Sequence, residues 1–399
     1  MADLPQGEPV PESGELPHPD VSQGFAAYVH IPFCALRCGY CDFNTYTNLN
    51  FGLGAGVADY HESLAREIKL SSRVLTTNNV RPLLTSVFFG GGTPTMLRAG
   101  QLAHVLSDLT RTFGIQPGSE VTTEANPESV TRESLSELAA AGFTRVSFGM
   151  QSAVPHVLEI LDRTHTPGQV ELAVGWAREA GLDVSLDLIY GVPGESEEDW
   201  ATSLRAAIAL EPDHISAYAL TVEPATKMGA QVRRAEIELP DPDVQAARYE
   251  QADDAFTTAG YRWYEISNWA RPGHACYHNL AYWRGANWWG YGPGAHSHIN
   301  GTRMWNVKHP LAYANKLALG VTPAVGREIL SARERAEEAI MLGIRLAEGI
   351  PVPTNVEPRV IAELIADGLV VPASAFAGRL ILTRRGRLLA DTVTRELWN

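Results

Sequence analysis

The feature that most constrains this chain is an alternation. Between Phe25 and about Leu220, short runs rich in β-branched and aromatic residues take turns with longer amphipathic stretches. The strand-like runs fall at 27–31, 85–89, 120–123, 145–148, 183–189 and 214–220, and the helical stretches between them at 57–75, 102–113, 132–141, 169–180 and 198–210. Repeated strand–helix units build a mostly parallel sheet with helices over its outer face. Six units predict an α/β fold with a partial (β/α)6 barrel, short of the eight of a closed one. In parallel architectures of this kind, sites sit at the C-terminal ends of the strands. The polar and glycine-rich oddities of this sequence fall there. Residues 33–43 follow the first strand, Gly90-Gly91-Gly92-Thr93-Pro94 the second, Glu124 and Asn126 close the third, Gln151 follows the fourth, and Asp187 lies near the end of the fifth.

Four cysteines occur in 399 residues, and three of them, Cys34, Cys38 and Cys41, lie within eight positions. A disulfide framework spreads cysteines across a fold, so this clustering points to metal. The spacing C-x3-C-x2-C lets three thiolates each take one iron of a cubane cluster, leaving the fourth iron without a protein ligand. Phe33, Leu36 and Tyr40 would exclude water around it. Zinc is the alternative; a structural zinc site takes four protein ligands, and His30 is the nearest candidate for the fourth. The glycine run at 90–92 reads either as a bare turn or as backbone that lets a ligand approach closely. Lys and Arg number 32 against 46 Asp and Glu, a net charge of −14, which argues against general binding of nucleic acid or anionic membrane. No apolar run is long enough to span a bilayer, and the first twenty residues lack the basic start and apolar middle of a secretory signal. A cytoplasmic protein is expected.

The cysteine loop, with Tyr40 just before the third Cys, resembles that of the radical S-adenosylmethionine (SAM) superfamily. The resemblance implies a [4Fe–4S] cluster on Cys34, Cys38 and Cys41, with SAM completing the coordination of the open iron. Such a fold can cleave SAM reductively. It also implies that Gly91, Gly92 and Thr93 of the GGGTP segment face the methionine end of SAM, and that Glu124, Gln151, Arg163 and Asp187 are polar positions that hold SAM, with Tyr28, Tyr40 and Ala219 as further contacts. Each of these polar residues alone reads equally well as a surface charge or a helix cap.

From Tyr28 to about Asn306 the chain is similar to the subfamily of oxygen-independent coproporphyrinogen III oxidases and their relatives, the HemW-type heme chaperones. Residues 28–34, 90–94 and 187–194 carry the likeness, and the C-terminal part resembles the accessory domain of that subfamily. The oxidases have a further Cys two positions after the third; here that position is Phe43, as in the chaperone type. His278-Asn279-Leu280-Ala281-Tyr282-Trp283 matches the chaperones' HNxxYW segment, which implies heme binding through His278 and Tyr282. The partners implied are heme, heme-accepting proteins and an electron donor such as a flavodoxin or ferredoxin. Three alternatives stay open. They are oxidative decarboxylation of coproporphyrinogen III, radical chemistry on another substrate, and a second metal site on His274, Cys276 and His278 if these alternate along a strand.

The expected organisation is a disordered lead over 1–22, rich in Pro and acidic residues; the barrel over 23–222; an α+β extension over 223–322 with a helix near 244–259; and a winged-helix-like unit over 323–399. That last unit reads as helices near 333–346 and 360–367, a strand near 380–383 and a final helix near 386–397. From Arg327 onward ten basic residues balance ten acidic ones, so a packing or partner role is expected there rather than DNA binding.

Overall fold

The computed structural model describes residues 6–76 and 82–398. Its centre is a run of six parallel strands in sequence order: β1 (Phe25–Ile31), β2 (Leu84–Gly91), β3 (Ile115–Ala125), β4 (Arg145–Gln151), β5 (Asp183–Tyr190) and β6 (His214–Ala219). Helices Tyr60–Leu75, Ala99–Phe113, Arg132–Ala141, Pro167–Glu179 and Glu197–Ala209 connect them. Local chemistry sets their ends. Ser196 accepts from the Asp199 amide, and Glu197, Glu198 and Asp199 place negative charge in that helix's first turn. Gly142, at φ +103°, stops the third helix in the left-handed conformation that a side chain would resist.

Strand periodicity divides the side chains into two sets. Val29, Val87, Val121, Val146, Val184 and Ile215 are buried in the core that includes the connecting helices. Their neighbours turn inward, and these are polar: Thr122 and Glu124, Arg145 and Ser147, Ser185 and Asp187, His214 and Ser216. The pairing Glu124–Ser147–Ser185–His214 runs straight across four strands. The α/β fold and its mostly parallel sheet are as expected.

The extension continues the same sheet to twelve strands. Beside β6 lie β7 (Arg262–Glu265) and β8 (Asn268–Ala270), antiparallel. Beside β1 lies β9 (Trp288–Tyr291), parallel, followed outward by antiparallel β10 (His296–Ile299), β11 (Thr302–Asn306) and β12 (Ala324–Ile329). The helix expected near 244–259 runs Pro242–Thr258. A separate small core of Ile344, Leu364, Val370, Leu380, Val393 and Leu397 lies C-terminal to this sheet. There the single final helix expected over 386–397 divides at Leu389 into Arg384–Leu388 and Ala390–Trp398. Arg387 ties this unit to the extension through two 2.9 Å bonds to Asp253.

The lead departs from expectation. Residues 1–5 lie outside the described residues, but the segment that follows is ordered. The amide of Glu8 bonds the Arg327 carbonyl at 2.9 Å and the Arg327 amide bonds back at 3.0 Å, so the lead pairs with the free edge of β12. Leu16 and Val21 are buried in the main core. Composition pointed to disorder because two apolar anchors and one unpaired strand edge are enough to dock a polar segment, and neither shows in an average. Among the described residues, no helix is long and apolar enough to cross a membrane.

Candidate functional site

A cavity of about 460 Å³ opens inside the parallel strands. The candidates for the cluster, SAM and heme all line it: Cys34, Cys38 and Cys41; Tyr28, Tyr40, Gly91, Gly92, Thr93, Glu124, Gln151, Arg163, Asp187 and Ala219; and His278 with Tyr282, whereas His30 and His274 do not. The six strand ends explain most of the convergence, since each contributes its last inward residue or the loop beyond it; His278 and Tyr282 come instead from the helix Tyr277–Trp283.

The cysteine loop is pinned to the sheet by backbone bonds. The Cys34 amide donates to the Tyr46 carbonyl at 3.0 Å, the Cys41 amide to the Cys38 carbonyl at 3.1 Å, and the Gly92 and Thr93 amides to the Ile31 and Phe33 carbonyls, both at 2.8 Å. A β-carbon on Gly92 would sit 2.7 Å from the Phe33 carbonyl oxygen, 2.9 Å from that of Ile31 and 3.0 Å from Cys34 Sγ, so only glycine fits between the two loops. All three cysteines are free thiols. Burial pushes Cys34 up to about 11 and raises Cys41 as well. Thr93 Oγ1 lies 3.8 Å from Cys34 Sγ, and Arg163 Nη1 lies 3.8 Å from Cys38 Sγ.

Across the cavity stand two carboxylates. Glu124 accepts from the Gly91 amide at 3.1 Å, and Asp187 accepts from Ser147 at 2.9 Å. Burial and the negative charge of Asp187 raise Glu124 to about 8; burial raises Asp187 too. Arg163 donates to Asn126 Oδ1 at 2.8 Å and to the Gly149 carbonyl at 3.0 Å, while its buried Nε has no partner within the protein. Gln151 ends β4 with φ +61°, a left-handed conformation rare for a residue with a side chain.

His278 sits in the helix Tyr277–Trp283 and is 1% exposed. Its Nδ1 lies 2.9 Å from Ser86 Oγ and its Nε2 lies 2.9 Å from the Tyr282 hydroxyl. Burial pushes its pKa down to about 3, so the imidazole is neutral. A metal site on His274, Cys276 and His278 is not formed. The segment turns into a helix at Tyr277 instead of continuing as a strand. His274 points to Asp183 at 2.9 Å, Cys276 to Glu120 at 3.1 Å, and His278 to Ser86.

Sequence reading passed over the deep wall of the cavity. Arg145, Ser185, His214 and Tyr264 line it there; behind them Arg145 pairs with the buried Glu120 (3.2 Å), and separately Ser185 bonds His214 (2.7 Å), which bonds Tyr264 (2.9 Å). The available signal was polar residues at alternate positions in strands expected to be buried.

Comparison with known proteins agrees with this geometry. Residues 28–207 match the Radical SAM superfamily. The chain is 47% identical over 392 residues to the heme chaperone HemW of Mycobacterium tuberculosis, covering 98% of each chain. It is 33% identical over 382 residues to that of Bacillus subtilis, covering 92% of this chain and 97% of the other. Its fold superposes on coproporphyrinogen III oxidase (HemN) of Escherichia coli, a radical SAM enzyme, with a TM-score of 0.78 at 22% identity, over 94% of this chain and 90% of that one. The chain belongs to the radical SAM superfamily and, within it, to the HemW family.

Proposed function

We propose that this protein is a cytoplasmic heme chaperone that carries a [4Fe–4S] cluster and SAM, binds heme through His278 and Tyr282, and passes it to acceptor proteins. One observation carries the reading: the three cysteines of the C-x3-C-x2-C loop, all free thiols, and the HNxxYW helix line one cavity, in a chain nearly half identical to a named heme chaperone over almost its full length.

The residues present suit both groups. Cys34, Cys38 and Cys41 offer three thiolates for four irons, and the glycine contact at Gly92 packs the GGGTP segment against Cys34 Sγ. Glu124 and Asp187 are carboxylates held in a buried cavity, while Arg163 keeps an unpartnered Nε there, a donor and acceptor set fitted to a zwitterionic, cationic ligand. Gly91, Gly92, Thr93 and Glu124 would hold the methionine end of SAM; Tyr28, Tyr40, Gln151, Arg163, Asp187 and Ala219 would hold the remainder. When bound, the reduced cluster supplies an electron that can break a C–S bond of SAM. The chain's own contributions are ligation, orientation and exclusion of water by Phe33, which is buried, and Tyr40. An electron donor of flavodoxin or ferredoxin type would dock at the cysteine loop, where Leu36 and Phe43 are exposed. We assign the barrel to residues 23–222, the heme segment to 223–322, and partner contact to the winged-helix-like unit of 323–399.

The test uses the full chain, reconstituted anaerobically with iron and sulfide. The reading expects retention of hemin, its transfer to an apo-hemoprotein such as apomyoglobin, and no protoporphyrinogen from coproporphyrinogen III under reducing conditions. Decarboxylation without heme transfer would make the protein an oxidase.

A further inference from the structure

The imidazole of His278 is bracketed. Ser86, on β2, meets Nδ1 at 2.9 Å from one side; Tyr282, one helical turn beyond His278, meets Nε2 at 2.9 Å from the other. The ring also stacks on Phe88, with centroids 5.1 Å apart and planes at 23°. Rotation of the ring would break two hydrogen bonds and a stack, so its orientation is fixed before any ligand arrives.

A neutral imidazole carries one proton, and the two hydroxyls decide where it sits. The Tyr282 phenol is a far stronger acid than the Ser86 alcohol, so it is the better donor. Tyr282 therefore donates to Nε2, and Nδ1–H donates to Ser86 Oγ. This leaves Nε2 with its lone pair directed at the hydroxyl of Tyr282, a residue that lines the cavity. The base of the helix is anchored separately. Glu120 accepts from the Tyr277 amide at 3.0 Å and from Cys276 Sγ at 3.1 Å, and Arg145 lies 3.2 Å from the same carboxylate. With His278 clamped from β2 and the helix base held by Glu120, the group that stands between Nε2 and the cavity is the Tyr282 hydroxyl, whose ring rests edge-on against Trp288 at 4.8 Å.

We infer that Ser86 is a positioning residue that presents Nε2 of His278 as the ligating atom, and that the Tyr282 hydroxyl is a removable cover, which must leave Nε2 before the heme iron can bind there while the Tyr282 ring stays as a contact for the porphyrin. The inference rests on the reading of His278 as the heme anchor. In the displacement, one coordinate bond forms from Nε2 to iron and one O–H···N bond breaks. The phenol keeps its proton, and no electron moves. Fixing the tautomer through the second ring nitrogen is how proteins tune histidine ligands elsewhere.

Hemin titration of the reconstituted full chain, followed by absorption spectroscopy and stopped flow, tests this. Tyr282→Phe keeps the ring and removes the cover; about fivefold tighter hemin binding is expected, the worth of one ordinary hydrogen bond. The wild-type binding rate should saturate with hemin concentration, because the cover must open first, and the saturation should vanish in Tyr282→Phe. Ser86→Ala should weaken binding about tenfold and shift the imidazole–iron bands, with Ser86→Thr restoring both. Unchanged or weaker binding by Tyr282→Phe overturns the cover, and unchanged binding by Ser86→Ala overturns the positioning role. If instead His278→Ala binds hemin with an unaltered spectrum, the assignment of the anchor itself fails.

Discussion

Glu124 offers a proton count that can be worked out in advance. Burial inside the barrel and the neighbouring Asp187 raise it to about 8. At pH 7 such a carboxyl is only about one-tenth ionised, yet a cationic ligand at the Gly91–Glu124 contact favours the carboxylate. SAM binding should therefore release about 0.9 proton from this residue at pH 7. Glu124→Gln keeps an oxygen able to accept from the Gly91 amide, 3.1 Å away in the wild type, and cannot release that proton. The ratio of wild-type to variant affinity should rise about tenfold per pH unit from pH 6 to 7.5 and level off above about 8. Its plateau should lie about 10- to 100-fold above unity, the range for a hydrogen bond to a charged group. Without SAM the sign reverses for stability. The folded carboxyl holds its proton between about 4.5 and 8 while the unfolded one has lost it, so this residue's contribution falls as pH rises through that window. The assay is anaerobic calorimetry of SAM binding to the cluster-loaded protein at pH 7, in two buffers of different ionisation enthalpy. Equal proton release by wild type and Glu124→Gln, or an affinity ratio flat in pH, would refute the reasoning.

Further expectations concern packing and buried charge. Gly92→Ala places a β-carbon within 3.0 Å of two carbonyl oxygens and the Cys34 sulfur, so it should cost about 1–3 kcal/mol and lower iron and sulfide content; thermal melting and metal analysis measure both. Arg387→Ala leaves the Asp253 carboxylate without its bidentate partner and should cost about 3–5 kcal/mol, read as a lower denaturation midpoint. Burial pushes His30 down to about 4, well below an unfolded histidine. The unfolded chain alone gains that proton as pH falls below about 6.5, so stability from neutral His30 is full above that value and declines toward pH 4. The penalty of His30→Gln in urea should accordingly be smaller at pH 5 than at pH 7.5; equal penalties contradict the assignment.

The parallel sheet was legible because each strand is a short apolar run separated from the next by a helix-length amphipathic stretch, and because each unusual loop follows a strand. Cys34, Gly92, Glu124 and Asp187 stand at those ends, so the strand order alone brings them together. The polar deep wall was not legible in the same way. Arg145 and Glu120 look like surface charges in sequence, since nothing local records that the 3.2 Å contact between them lies inside the barrel. The lead was misread for a related reason: the pairing of Glu8 with Arg327 joins residues more than three hundred positions apart, and composition cannot register it. His274, Cys276 and His278 were misgrouped because alternation implies one shared face only on a strand, whereas Cys276 caps a helix whose residues diverge.

The most direct test of the account is iron–sulfide analysis with Mössbauer spectroscopy of the anaerobically reconstituted full chain, before and after adding SAM. Four irons and four sulfides per chain are predicted, with one iron of the four changing its spectrum when SAM is added, and loss of the cubane in Cys34→Ser, Cys38→Ser and Cys41→Ser. Zinc in place of iron, absence of sulfide, or a cluster whose four irons are all indifferent to SAM would contradict it.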